Sequence, residues 1–395
     1  MKLKSFSVIQ NVNDLSSSSG GPSKTVTYLS KELISAGIDL KIFSKFSHEI
    51  KNQWIIPEQN LVFYKTKNFI KNPFFEFSLR KALDNISNFK NLIIHDNGIW
   101  LPSNNTICKF AFEKKIKLLI SPHGMLEPWS INYKKLKKNL AWKIYQKSNL
   151  LKADVIHACS EMEANNILKL GLKKPIAIIP NGSINPTEFQ SHGKNLQKNL
   201  SLDKKFKYFL YLGRIHPKKN LLNLLISVKD ILHRETKWKL IIAGYPELKY
   251  DLVLKKFINQ NNLSNKVILL GPVEGVNLFY LYKKANFFIL PSLSENFGLV
   301  VAEALNFGLP VISTKPTPWS ILEKTNSGWW IEPSIEELSK AINKAINLDL
   351  NEYEKMSNNA LTLSRNYQWE KISQSFITLY KWMLGQGLKP NFIIE

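Results

Sequence analysis

Residues 290–310 read LPSLSENFGLVVAEALNFGLP, and how this stretch folds decides how the rest of the chain is read. The apolar run 287–290 enters a Pro-Ser loop, Glu295 follows, and Gly298 opens a helix-period segment that carries Glu303. Were the whole stretch one helix, the two carboxylates would stand roughly 12 Å apart along its axis and about 80° apart around it. The Asn296-Phe297-Gly298 break argues for another arrangement. Glu295 then closes a strand–loop, and Glu303 lies in the second turn of the helix after it. One acid faces the carboxyl end of a strand, where open parallel sheets bind ligands, and the other comes from the helix alongside.

Outward from this stretch, both halves alternate short apolar strands with helix-period segments, the pattern of doubly wound α/β domains. Strands are expected at 6–10, 39–43, 91–95, 117–121, 155–158 and 177–180, then at 206–212, 238–243, 267–270, 286–290 and 310–313. Helices are expected at 22–36, 221–233, 249–260, 298–307 and 369–383. The polar run 185–201 suits a linker and divides the chain into residues 1–187 and 188–368.

The 395 residues suffice for two domains with separate cores. A hydrophobic content of 44% with a mean hydropathy of −0.17 indicates a globular protein in water. No apolar run reaches the roughly 20 residues that cross a bilayer, and the leading MKLKSFSVIQ has no signal-peptide core. Cys108 and Cys159 fit no metal spacing, so a reducing cytoplasm is the expected compartment.

A net charge of +23 calls for an anionic partner: nucleic acid, a bilayer surface or a phosphorylated ligand. No basic recognition helix or aromatic single-strand platform supports the first. Residues 132–152, NYKKLKKNLAWKIYQKSNLLK, set Lys134, Lys135, Lys137, Lys138, Lys143 and Lys147 among Leu136, Leu140, Trp142, Ile144 and Tyr145. Such a segment is either a membrane-surface helix or a core-packing helix with a lysine-rich outer face.

In YLGRIHPKKN, residues 211–220, Arg214, Lys218 and Lys219 crowd the amino end of the next helix. Cations are unfavourable there unless an anion sits among them, and a diphosphate reverses the sign. Beside such a cradle, Glu295 and Glu303 admit three readings: exposed acids, an acid/nucleophile pair across a sugar, or acceptors for polyol hydroxyls. Hydroxyl recognition fits best, since the combined ligand is then a nucleotide sugar. His123, in SPHGMLEPW (121–129), ends a strand beside Gly124, and Gly20-Gly21 follow the first strand as half of a phosphate-binding turn.

These residues resemble the retaining glycosyltransferases of family 4, whose GT-B fold sets two facing Rossmann-like domains around an interdomain cleft. The resemblance spans nearly the whole chain. It rests on an E-x7-E motif (Glu295 to Glu303), GRIHPKK, SPHGMLEPW, IPNGS (179–183) and Gly20-Gly21, in the family's order. It implies that Glu295 holds donor-sugar hydroxyls, Glu303 the ribose, and Arg214 and Lys219 the diphosphate. Asn296, Phe297, Gly298 and Leu299 then border the donor, His123 lies beside the transferring sugar, and Gly20-Gly21 bind on the donor side, shaping the cleft near the phosphate and the acceptor. It further implies a front-face reaction with no metal or other cofactor. A donor phosphate oxygen takes the acceptor proton, and the acceptor is a glycan or lipid-linked glycan at the inner face of the plasma membrane. Residues 369–395 resemble the helix that returns to the first domain. Residues 314–322, TKPTPWSIL, depart from the family's glycine-rich turn. A nucleotide-sugar epimerase or a phosphorylase remains a second reading of the same fold, and a nucleic-acid-binding protein a distant third.

Overall fold

The structure, a computed structural model, describes residues 6–16, 20–46, 55–66, 73–186 and 201–395. The expected 187/188 boundary, most of the 185–201 linker and residues 17–19 of the first loop lie outside them. Two compact units emerge, one taking in the chain up to Gly182 together with Trp369–Glu395, the other Ser183–Gln368.

The first unit carries β1 (Ser7–Val12), β2 (Asp39–Lys45), β3 (Leu61–Tyr64), β4 (Leu92–Asn97), β5 (Lys117–Ser121), β6 (Val155–Ala158) and β7 (Ile176–Ile178). The second carries β8 (Lys207–Leu212), β9 (Trp238–Ala243), β10 (Val267–Leu270), β11 (Phe287–Leu290), β12 (Val311–Thr314) and β13 (Gly328–Ile331). The C-terminal β14 (Ile393–Ile394) pairs antiparallel with β7, and every other pairing is parallel.

The sheet orders are β14-β7-β6-β5-β4-β1-β2-β3 and β10-β9-β8-β11-β12-β13. Each reverses its direction of growth once, between β1 and β4 and between β8 and β11, which are the switch points where such sheets take ligands. These are two Rossmann-like α/β sheets of the GT-B kind. Strands β3, β13 and β14 were not expected. They are two to four residues long and lie at or beside sheet edges, too short for a periodic signal.

Strand alternation decides which residues meet which helices. In the first sheet Ile9, Ile94, Ile120 and Ile156 face a core that includes Ile107 and Phe110 of the helix Pro102–Lys114. Val8, Ile93, Leu119 and Val155 face the other core, with Leu29 and Leu33 of Gly21–Ser35 and Phe376 and Tyr380 of Trp369–Met383. The long C-terminal helix is thus a core element of the first unit.

The lysine-rich segment is helical over Lys135–Ala141, Trp142–Gln146 and Lys147–Lys152 without interruption, the middle turn in π geometry. Ala141, Tyr145 and Leu150 are buried, so this side packs inward. Leu136, Leu140 and Ile144, four residues apart, are exposed at 86%, 55% and 49%, as are the stacked rings of Trp129 and Tyr133. Among the described residues no helix is long and apolar enough to cross a membrane.

Candidate functional site

In the second unit the site is built from two connections that leave neighbouring strands at the switch point. After β8 the chain turns through a short 3-10 segment, Pro217–Lys219, before the helix Leu221–Arg234. His216 Nδ1 accepts the Lys218 amide at 3.0 Å, and Asn220 takes a left-handed φ of 59°. After β11 the loop carrying Glu295 runs to Gly298, and Glu303 lies on the helix Leu299–Asn306. A backbone bond of 2.9 Å from the Leu293 amide to the Lys218 carbonyl joins the two connections.

Across that seam Lys219 Nζ donates to Glu295 Oε1, with the two side chains only 11% and 12% exposed. Ser292 Oγ donates to the same oxygen at 2.6 Å. Burial pushes the Glu295 carboxyl up, but the adjoining ammonium and these hydrogen bonds outweigh it and hold the group below the ordinary glutamate value. An ammonium has three N–H donors, and Glu295 occupies one of them.

Gly298 caps the helix at φ 80° and, being glycine, offers the first helical amides no side-chain cap of its own. A Cβ there would stand 3.1 Å from Leu290 Cδ2 and 3.3 Å from Trp319 Nε1, so the conformation favours glycine and a larger residue would also press on these two side chains.

The other expected residues fall into place differently. Arg214 points its guanidinium at both oxygens of Glu247, at 3.0 and 3.2 Å, in an exposed pair. Its backbone carbonyl accepts the Tyr211 hydroxyl at 2.8 Å. Burial drives that phenol well above its ordinary value; the Glu295 charge adds to the rise and the Arg214 charge opposes it. Glu303 is buried and accepts the Tyr282 hydroxyl at 2.7 Å. Phe297 is buried against Trp319 and Tyr367, so its side chain serves the core. Asn296 and Leu299 are half-buried on either side of it.

The unusual segment 314–322 buttresses this loop. Pro316 accepts the Glu295 amide at 3.1 Å, Thr314 Oγ1 bonds the Ser292 carbonyl, and the buried Trp319 indole donates to the Phe297 carbonyl. Sequence reasoning registered 314–322 only as a departure and missed Ser292 altogether. The signal available was a serine three residues before the acid.

In the first unit Gly20 lies at the switch point between β1 and its helix, with φ 75° and open space around it, and Gly21 begins the helix. His123 follows β5 with φ 50°, a left-handed conformation that a residue bearing Cβ adopts at a cost and that tends to mark functional sites. Its Nε2 lies 3.0 Å from Asn97 Oδ1. The next amide, Gly124, donates to Glu163 Oε1 at 2.6 Å, and Glu163 Oε2 accepts the Cys159 amide at 2.8 Å. That buried carboxylate anchors the loop. Desolvation, then the nearby His157 ring, holds the His123 imidazole well below its ordinary value, so the ring is neutral at physiological pH.

Residues 19–183 match the family described as Glycosyltransferase Family 4, and residues 193–362 match Glycosyl transferases group 1. An uncharacterised glycosyltransferase of Methanocaldococcus jannaschii is 29% identical over 214 residues, 52% of this chain and 54% of that protein. The O-antigen chain mannosyltransferase B of Escherichia coli is 30% identical over 178 residues, 44% and 45%. The chain thus spans about half the length of these curated relatives. Among solved structures, HepE of Anabaena in complex with UDP and glucose superposes with a TM-score of 0.74 at 15% identity, over 95% of this chain and all of that one. Two consecutive family matches, on two sheets with this strand order, support a GT-B glycosyltransferase related to family 4.

Proposed function

We propose that this chain is a retaining, metal-independent glycosyltransferase. It moves a hexose-type sugar from a nucleoside-diphosphate donor to a glycan or lipid-linked glycan during surface-polysaccharide synthesis. The observation that carries the reading is the Lys219–Glu295 pair at the β8/β11 switch point, beside a helix amino end whose N-cap residue is glycine. Cation, carboxylate and amides together suit a ligand that is anionic at one end and a polyol at the other. HepE is a structural neighbour that holds UDP and glucose, and the matched Escherichia coli protein acts on O-antigen chains.

In the reaction Lys219, Arg214 and the first amides of Leu299–Asn306 stabilise the departing diphosphate as its charge develops. These groups supply, without a metal, the electrostatic stabilisation that the leaving group needs. Glu295 accepts hydrogen bonds from donor-sugar hydroxyls, Glu303 from the ribose, and His123 contacts the transferring sugar. A donor phosphate oxygen takes the acceptor proton, so no side-chain nucleophile is needed and the anomeric configuration is retained.

Thermal-shift screening of UDP- and GDP-sugars, followed by transfer assays with the one that stabilises most, tests the assignment. Glu295→Gln preserves shape and one hydrogen bond to Lys219 while removing the charge. Transfer is expected to fall by about 100-fold or more with nucleotide binding retained, and full activity in this variant removes Glu295 from the site. Mass spectrometry of donor without acceptor separates an epimerase, which converts the sugar while it stays on the nucleotide.

Docking on an anionic bilayer is proposed for the 132–152 face, where Leu136, Leu140 and Ile144 stand exposed among lysines. Lys138 is tied to Ser130 and lies over the Trp100 ring, so it belongs to the fold. Charge removal at Lys134, Lys135, Lys137 and Lys143 is the cleaner test. Binding to phosphatidylglycerol vesicles should weaken by about 1 kcal/mol per lysine near the surface, with donor binding unchanged. Undiminished vesicle binding sinks the docking.

A further inference from the structure

Behind His123, seven hydrogen bonds run end to end through the core of the first unit, all in one sense, and Asn97 Nδ2 is further anchored on the Asn11 and His95 carbonyls at 3.3 and 3.2 Å. The chain starts from the Ile179 carbonyl, which can only accept, so His157 Nε2, 2.8 Å away, carries a proton. A neutral imidazole then has only a lone pair at Nδ1, which takes the hydrogen of Ser121 Oγ at 2.7 Å. With that hydrogen committed, Ser121 must accept from His95 Nε2 at 2.6 Å. His95 Nδ1 is therefore an acceptor, and the Tyr380 hydroxyl donates to it at 2.8 Å. Gln10 Nε2 donates to the Tyr380 oxygen at 3.3 Å, and Asn97 Nδ2 donates to Gln10 Oε1 at 2.6 Å. Asn97 Oδ1 is left to receive His123 Nε2 at 3.0 Å.

Every member between His123 and Ile179 is at least nine-tenths buried. Burial keeps both intermediate imidazoles neutral: His95 is driven well below its ordinary value and His157 down to about 4, despite its bond to the Ile179 carbonyl. The donors all point the same way, so each bond polarises the next. The members come from β1, β4, β5 and β6 and from the C-terminal helix Trp369–Met383. Four of these elements are the consecutive strands β6-β5-β4-β1, which run up to and across the switch point, and all the side chains lie on the face that the C-terminal helix covers. At the open end, His123 Nδ1 has no hydrogen-bond partner among the described residues.

We infer that this one-way chain is a tautomer lock: it holds His123 in the Nε2–H form and presents Nδ1 as an acceptor to a sugar hydroxyl. Tyr380 and Gln10 are its positioning residues. The inference rests on His123 contacting the sugar, as proposed above. A histidine set this way accepts a hydrogen bond and cannot give one through Nδ1, so it selects a ligand hydroxyl at that point over a carbonyl or ether oxygen. Tyr380 acts from 257 positions further along the chain (380 − 123), without touching the ligand.

The test is 15N NMR of histidine-labelled full-length protein at neutral pH, with the His123 signals identified by their loss in His123→Asn. The expected spectrum shows His123 with a protonated Nε2 and a bare Nδ1. Tyr380→Phe removes one hydroxyl and strands both His95 Nδ1 and Gln10 Nε2. It is expected to move the His123 nitrogens toward a mixture of tautomers and to lower kcat about tenfold with the donor KM little changed. Ser121→Ala cuts the same chain from another strand and should act alike, which covers the case of a poorly folding Tyr380 variant. A wild-type His123 protonated on Nδ1, or His123 nitrogens unmoved in both variants, overturns the lock. A separate titration with nucleotide sugar addresses the ligand. If the lock holds but saturating donor leaves the His123 nitrogens unshifted, the failure lies in the sugar contact and not in the chain behind it.

Discussion

The two sheets reverse their growth at equivalent places, yet they furnish those places in opposite ways. Beside β8 and β11 the buried groups are ions, with Lys219 against Glu295 and Ser292 completing the carboxylate's partners. Beside β1 and β4 the buried groups are neutral, three imidazoles joined by amides and hydroxyls in a single file. The carboxylates show the contrast most directly. Glu295, beside an ammonium, is held below its ordinary value in spite of burial. Asp96, at the end of β4, receives Asn11 Nδ2 at 2.6 Å and Asn104 Nδ2 at 2.9 Å, yet burial wins and carries it up to about 7. Neutral donors soften the desolvation of a carboxylate, whereas a full opposite charge reverses it.

The sharpest way to break the comparison is to turn the ionic site into a neutral one. Lys219→Met leaves Glu295 buried with only the weaker influence of the Lys218 charge, and the expected cost at pH 7 is about 3 kcal/mol, because a poorly compensated charge stays in the interior. The sign of the pH dependence should invert as well. In the wild type the depressed Glu295 value contributes stability that is present above the ordinary glutamate range and is lost as pH falls through the depressed value. Without Lys219 the folded value rises above the unfolded one, so that contribution is retained in acid and lost as pH climbs. Urea unfolding at pH 4 and pH 7 reads both. A variant as stable as wild type at pH 7 would show that the pair is solvent-screened after all.

Much of this contrast was legible in the sequence, but unevenly. The strands flanking both switch points were readable from short apolar runs, and Glu295, Gly298 and Lys219 stood out because carboxylate, glycine and cation fall at strand ends. What could not be read was contact. Lys219 and Glu295 are 76 positions apart, and no local pattern says that the cation meets the acid before it meets any phosphate. The resemblance set Arg214 with Lys219 on the diphosphate, and no local pattern showed that the Arg214 guanidinium would reach Glu247. The resemblance set Phe297 at the border of the donor, and nothing in the sequence showed that its ring packs against Trp319 and Tyr367.

The neutral file left a trace that went unread. Gln10, His95, Ser121 and His157 are polar residues in the carboxyl-terminal halves of their strands, all on one face. A polar residue at an inward position of several neighbouring strands signals a buried network even before its members are known. Tyr380 gave no such sign, since an aromatic on the apolar side of an amphipathic helix is ordinary core.

A smaller effect sharpens the other half of the comparison. Asp96 takes its donors on Oδ1, and its Oδ2 faces the Cys108 thiol at 3.9 Å. Asp96→Asn keeps an acceptor for Asn11 and Asn104 while removing the ionisation. Because the folded value of Asp96 is raised from 3.8 to about 7, its contribution to stability is complete in acid and drains away as pH rises from about 4 to about 7. The asparagine variant has no such drain. Its stability relative to wild type should therefore grow between pH 5 and pH 8, by about 2 kcal/mol, in the opposite sense to the loss that acid brings at Glu295. Denaturant unfolding of both proteins at the two pH values measures it. A difference that stays constant with pH means that Asp96 is ionised throughout, and the first unit's site would then carry a buried charge like the second's. The division between a neutral and an ionic switch point would fall with it.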